Sequence, residues 1–168
     1  MLIGVMSDSH DNMPMVNRAV RLFREREAEH LCHAGDIVSP FVLKLVLASG
    51  LPFTGVVGNN DGEIGGLTAL TDDLHAPPHE FSLAGRRILM THRPLAPEAR
   101  QGFDLVIYGH THEAELTHAT NADGGARLDL NPGESGGWLT GRCTVAVVDL
   151  DALDAELIEI GTQETYGP

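Results

Sequence analysis

The sequence predicts an α/β fold in which two packed β-sheets carry helices on their outer faces. Three observations lead there: short apolar runs alternate with amphipathic stretches in the first half of the chain, the hydrophobic period changes to two from Glu80 onward, and the chain closes with paired strands. The first sheet is therefore expected to be partly parallel, and residues 1–168 to make a single domain.

Element by element, LIGVMSD at 2–8 reads as a buried strand. An amphipathic helix over 13–27 follows, because Met15, Val16, Ala19, Val20, Leu22 and Phe23 recur at helical spacing while Arg18, Arg21 and Arg24 take the polar face. HLCHAGD at 30–36 is a second strand, and Ser39 with Pro40 opens a helix over FVLKLVLAS that Gly50 and Pro52 close. FTGVVGNND is a third strand with its loop, and a helix weakened by Gly65 and Gly66 is expected over 62–75. EFSLAGRRILMTH forms a hairpin turning at Ala84 and Gly85, and DLVIYGH at 104–110 is another buried strand. ELTHAT pairs with ARLDLN across NADGG, and CTVAVVDLD with AELIEIG makes the last pair.

Charge narrows the function. Aspartate and glutamate number 24 against 11 lysines and arginines, a formal net charge of −13, and Lys44 is the sole lysine. Such a surface repels polyanions, so wrapping of a nucleic acid polymer and docking on an anionic membrane are disfavoured. No apolar run approaches the roughly 20 residues that span a bilayer, and MLIGVMSDSH carries no basic leader, so a cytoplasmic protein is expected. Cys32 and Cys143 lack paired metal or redox spacing and read as core residues. A homo-oligomer stays open, with Trp138 or Phe103 as an exposed contact.

Five polar clusters each follow an apolar strand: Asp8-Ser9-His10, Gly35-Asp36, Gly58-Asn59-Asn60-Asp61, Thr91-His92 and Gly109-His110-Thr111-His112. Ligands of open α/β sheets sit beyond the carboxyl ends of parallel strands, which would bring all five to one rim. Two aspartates, an asparagine and four histidines make a mixed oxygen and nitrogen donor set suited to borderline divalent metals such as manganese, iron(II), cobalt, nickel or zinc. Seven donors exceed one coordination sphere but suit two divalent ions with open positions. Glycines before Asp36, Asn59 and His110 fit sharp turns near such ions.

Taken singly, each cluster is weak, Gly109-His110-Thr111-His112 being the least common of them; their joint order at strand ends is what carries weight. Gly133-Glu134-Ser135-Gly136-Gly137 matches a nucleophile elbow, but no histidine follows His118 to complete a serine hydrolase. His30, Cys32 and His33 lie on one strand and point to opposite faces. His75, His79 and His118 lie outside the motifs and read as exposed loop positions.

With its D-x-H, G-D, G-N-x-D, strand-end histidine, G-H-x-H and Asn131-Pro132-Gly133, the chain resembles the calcineurin-like metallophosphoesterases, in particular the small single-domain branch of YfcE-like phosphodiesterases and Vps29. The resemblance implies a four-layer αββα sandwich of two mixed β-sheets flanked by helices. It implies one metal on Asp8, His10, Asp36 and His112 and a second on Asp36, Asn59, His92 and His110, with Asp36 bridging. It further implies in-line attack of a metal-activated hydroxide on a small phosphodiester. Where many relatives place a proton-donating histidine this chain has Asn60, so diesters with acidic leaving groups are expected to be preferred. Arg93 replaces a common glycine and would clamp phosphate or sit in solvent, and Asp61 would orient a ligand histidine or simply form an Asp-Gly turn. A Vps29-like binding scaffold is the competing function, since fold alone does not choose; a nuclease would want a basic groove that the scattered arginines do not supply.

Overall fold

The computed structural model describes residues 1–164, which form eleven strands, three α-helices and one 3₁₀ turn. Strands β1 (Leu2–Met6), β2 (His30–His33), β3 (Phe53–Val56) and β4 (Leu74–His75) run parallel, and β10 (Arg142–Asp149) and β11 (Asp154–Thr162) extend the same sheet antiparallel beyond β1. The second sheet is ordered β5 (His79–Leu83), β6 (Arg86–Met90), β7 (Leu105–Ile107), β9 (Ala126–Pro132), β8 (Ala114–Thr120), with β6, β7 and β9 mutually parallel. Both sheets are mixed, and the hairpins read from sequence pair as expected, Ala84 and Gly85 turning at positive φ.

Helix α1 (Met13–Glu25) starts where the Asn12 side chain accepts the Met15 amide, and it buries Met15, Val16, Ala19, Val20 and Phe23, the face expected from periodicity. Together with α2 (Pro40–Leu47) it covers the first sheet over a core of Phe23, Leu31, Leu43, Val46 and Phe53. A second core of Ile3, Val5, Ile88, Met90, Leu105, Ile107 and Val148 fills the space between the sheets. On the outer face of the second sheet the cover is thin. There Leu95, the 3₁₀ turn Pro97–Arg100 and its neighbouring loop overlie Leu89, Phe103, Val106 and Tyr108, with the Arg100 guanidinium over the Tyr108 ring.

Three expectations are corrected. The helix over 62–75 shrinks to α3 (Ile64–Thr68), since Gly65 and Gly66 each cost about 1 kcal/mol of helix and Leu74–His75 gains more by pairing with Gly55 and Val56 at the edge of β3. Phe103 is 7% exposed, pinned beneath the Arg87 guanidinium, and offers no contact surface. His75, His79 and His118 lie on strands: the first two stack at 3.7 Å, and the third pairs with Asp154 at 3.2 Å. Among the described residues no helix is long and apolar enough to cross a membrane.

Candidate metal centre

Parallel strands deliver their carboxyl ends to a shared rim, and backbone bonds between the loops lace that rim together. Asp8 N–H donates to the Gly35 carbonyl, Gly109 N–H to the His92 carbonyl, Glu134 N–H to the His112 carbonyl and Ser135 N–H to the Ser7 carbonyl. The approach is close enough that a methyl group at Gly58 would overlap Asp36, and one at Gly109 would overlap Ser7 and Asp8. Of the glycines before Asp36, Asn59 and His110, only Gly35 needs a positive φ; the other two are required by space. Asp8, His10, Asp36, His110 and His112 themselves have φ between 39° and 70°, a left-handed conformation costly for side chains with a Cβ and concentrated here.

The side chains converge into two groups that share Asp8: one of Asp8, His10 and His112, the other of Asp8, Asp36 and His92. His112 Nε2 stands 3.4 Å from Asp8 Oδ1, His10 Nε2 3.5 Å from Asp36 Oδ2, and His92 Nε2 3.4 Å from the same Asp36 oxygen. Asn59 Oδ1 lies 3.0 Å from His92 Nε2. Donors about 2.1 Å from a common ion stand roughly 3.0–3.4 Å apart in octahedral or tetrahedral spheres, so these separations match the edges of coordination polyhedra. His110 is set slightly apart, its ring 5.1 Å from that of His92, while its backbone N–H donates to Asp8 Oδ2.

Partners outside the groups decide which nitrogen faces the rim. A carbonyl can only accept, so the 2.8 Å contact of His92 Nδ1 with the Ala34 carbonyl puts the proton on Nδ1 and leaves Nε2 a lone pair. His112 Nδ1 likewise donates to Glu134 at 2.9 Å. Burial opposes ionisation of Glu134, but its bonds from His112, Thr140 and Leu139 prevail and hold its pKa at about 2. Sequence reading passed over Glu134 as part of the false nucleophile elbow.

The two central carboxylates differ. Burial raises the pKa of Asp8, against the Ser7 hydroxyl and His112, and its Oδ1 is buried with no hydrogen-bond partner among the described residues. Burial also opposes ionisation of Asp36, yet bonds from His92 and Asn60 dominate and hold it well below the ordinary carboxylate range. His92 and His112 are raised, burial being outweighed by Asp36 and Glu134 respectively. An orphaned buried carboxylate oxygen among imidazole lone pairs is what a divalent cation would satisfy, and the donor set fits such ions.

The remaining expected residues have other partners. Asp61 meets no histidine; its carboxylate accepts the backbone N–H groups of Asp36 (3.1 Å), Val38 (2.6 Å) and Gly58 (2.6 Å), so it sets the loop that carries Asp36. Asn60 donates its amide to Asp36 Oδ2 and its backbone N–H to Asp36 Oδ1, both at 2.8 Å. Arg93 is exposed at the rim, near His110, and forms no ion pair among the described residues. Trp138, half-buried, donates its indole N–H to the His10 carbonyl at 3.0 Å. His33 is buried and bonded to the Ser9 hydroxyl, its pKa pushed down to about 3 by burial.

Residues 1–153 match the model of the calcineurin-like phosphoesterase superfamily domain. Phosphodiesterase MJ0936 of Methanocaldococcus jannaschii is 33% identical over 161 residues, 90% of this chain and 94% of its own. A solved archaeal phosphodiesterase is similar at 30% identity with a TM-score of 0.81, covering 95% of this chain and 99% of that one. Vps29 of Chaetomium thermophilum shares the fold at 15% identity and a TM-score of 0.66, over 97% of this chain and 100% of its own.

Proposed function

The chain belongs to the calcineurin-like phosphoesterase superfamily, and from that premise we propose that it is a dinuclear metal-dependent phosphodiesterase acting on small phosphodiesters. The observation that carries this reading is Asp36 Oδ2, which stands between His10 Nε2 and His92 Nε2 at nearly equal distances beside the orphaned Asp8 oxygen. Asp8, His10, Asp36 and His112 would hold one ion, and Asp36, Asn59, His92 and His110 the other, manganese being the first choice and nickel, cobalt, iron(II) or zinc the alternatives. Bound there, such ions supply Lewis acidity for phosphoryl oxygens and lower the pKa of water.

The chain's own residues prepare that chemistry. Glu134 and the Ala34 carbonyl fix two imidazole tautomers, Asp61 sets the Asp36 loop, and Asn60 donates one N–H to each oxygen of the Asp36 carboxylate. Arg93, always charged, adds a cation at the rim for an anionic ester that the acidic surface would otherwise repel. An amide does not donate a catalytic proton, so Asn60 leaves a preference for esters whose alcohol departs as an anion unaided.

The test is hydrolysis of bis(4-nitrophenyl) phosphate by chelator-stripped protein with and without added manganese, wild type against Asp36→Ala, alongside elemental analysis of the purified chain. Metal-dependent turnover in wild type alone, with about two ions per chain, is the expected result. Equal rates for both proteins, or less than one ion per chain after supplementation, would favour the Vps29-like scaffold.

A further inference from the structure

Two of the depressions that border the candidate metal centre share no residue. One, of 380 Å³, is lined by Val57, Pro77, Pro78 and Leu95, and it reaches the centre at Asn59 and His92 with Arg93 on its edge. The other, of 320 Å³, is formed by Trp138 and Leu139 and reaches the centre at His10, His112 and Asn60. Each therefore touches a different one of the two donor groups, which meet at Asp8. Both exceed the roughly 300 Å³ at which pockets begin to hold organic ligands, and both combine an apolar wall with a polar edge.

We propose that these depressions are the two ester-arm sites of the enzyme, one for the alcohol that leaves and one for the alcohol that stays, so that the substrate is a phosphodiester with two bulky, flat or apolar arms. The inference rests on the phosphodiesterase reading above and specifies its substrate class. A phosphate held at the centre by its two non-bridging oxygens keeps both ester oxygens free to carry their arms out along the surface, and only a diester has an arm for each depression. Leu139 gives one arm an apolar wall, and Pro77, Pro78 and Leu95 give the other one. A monoester leaves one depression filled with water and brings an additional negative charge to a chain already at −13. Leu139 is 70% exposed, so an arm bound in the second depression would cover it.

The experiment compares two substrates with the same leaving group, bis(4-nitrophenyl) phosphate and methyl 4-nitrophenyl phosphate, in manganese-loaded wild type, Leu95→Trp and Leu139→Trp. Val57→Phe is a second filling of the first depression, and thermal melts certify each fold. Filling the site of the staying arm should cost about 10–200-fold in kcat/KM on the bis-aryl ester and little on the methyl ester; filling the site of the leaving arm should cost both esters alike. One variant of each kind is the expected pattern, and it also assigns the arms. Folded variants in both depressions that leave the ratio of the two esters and the absolute rates at wild-type values overturn the two-arm reading while the phosphodiesterase stands. Absence of metal-dependent turnover of either ester by wild type removes the phosphodiesterase reading and this one with it.

Discussion

Replacing Asp8 by asparagine should stabilise the metal-free protein while abolishing its response to metal. In the folded chain Asp8 is fully buried, Oδ2 accepts the Ser7 hydroxyl at 2.6 Å and the His110 N–H at 3.0 Å, and Oδ1 has no partner among the described residues. An unpaired buried polar atom costs about 1–3 kcal/mol, more when charged. Asparagine keeps an oxygen for Ser7 and His110 and turns a donor toward His112 Nε2, 3.4 Å away, whose lone pair accepts it. The gain of about 1–3 kcal/mol corresponds to roughly 2–4 °C in Tm per kcal/mol for a chain of this size. Its sign with pH follows from the raised pKa of Asp8: the folded state holds that proton more tightly than the unfolded one, so the wild type loses stability as pH rises from 3.8 through the raised value. The advantage of Asp8→Asn is thus absent at low pH and full only above the raised pKa of His112, where that imidazole is neutral and its Nε2 accepts. Divalent metal reverses the order, because ligand at 1,000 times its Kd adds about 4.1 kcal/mol to the wild type and little to the variant. Thermal melts at pH 8 in chelator and in manganese measure both effects; a metal-free Asp8→Asn that melts below wild type would refute the reasoning.

Glu134→Gln, which removes the anion behind His112, should weaken metal binding about 10–100-fold by calorimetric titration, and unchanged affinity would mean that His112 needs no orienting carboxylate. In the metal-free wild type the bonds that depress Glu134 to about 2 add stability above its ordinary pKa of 4.5 that is lost as pH falls toward 2, and Glu134→Gln should flatten that acid limb of the stability curve. Asn60→His should raise kcat on alkyl diesters by about 10²-fold or more with little change on 4-nitrophenyl esters, and an identical leaving-group slope for both proteins would discard the missing-acid argument. Burial pushes the thiols of Cys32 and Cys143 up to about 12 and 11, so neither should react with iodoacetamide at pH 8 until the protein is unfolded.

How much of this was legible in the sequence depends on whether a signal was local. The strand-end clusters were, because an apolar run followed by Gly-Asp or Gly-His records both a buried strand and the loop after it, and parallel pairing of β1, β2 and β3 does the rest. The donors consequently meet at the separations reported above although they span residues 8 to 112. Glu134 was not legible: it lies between β9 and β10, in a glycine-rich stretch without periodicity, and its importance comes from a contact with His112 and two amides that no spacing encodes. A carboxylate placed directly after Asn131-Pro132-Gly133 and buried in spite of its charge was the available clue. The Ala34 carbonyl was hidden for a deeper reason, since every residue owns a carbonyl and only the register of β2 aims this one at His92. Asp61 shows the reverse case: a residue type right for a histidine's partner was used instead to gather three backbone amides, and the loop so fixed holds Asp36 at a left-handed φ of 58°. The rim therefore obtains its geometry from neighbours whose chemistry is unremarkable, which is why the converging donor side chains were readable from sequence and their supports had to be seen.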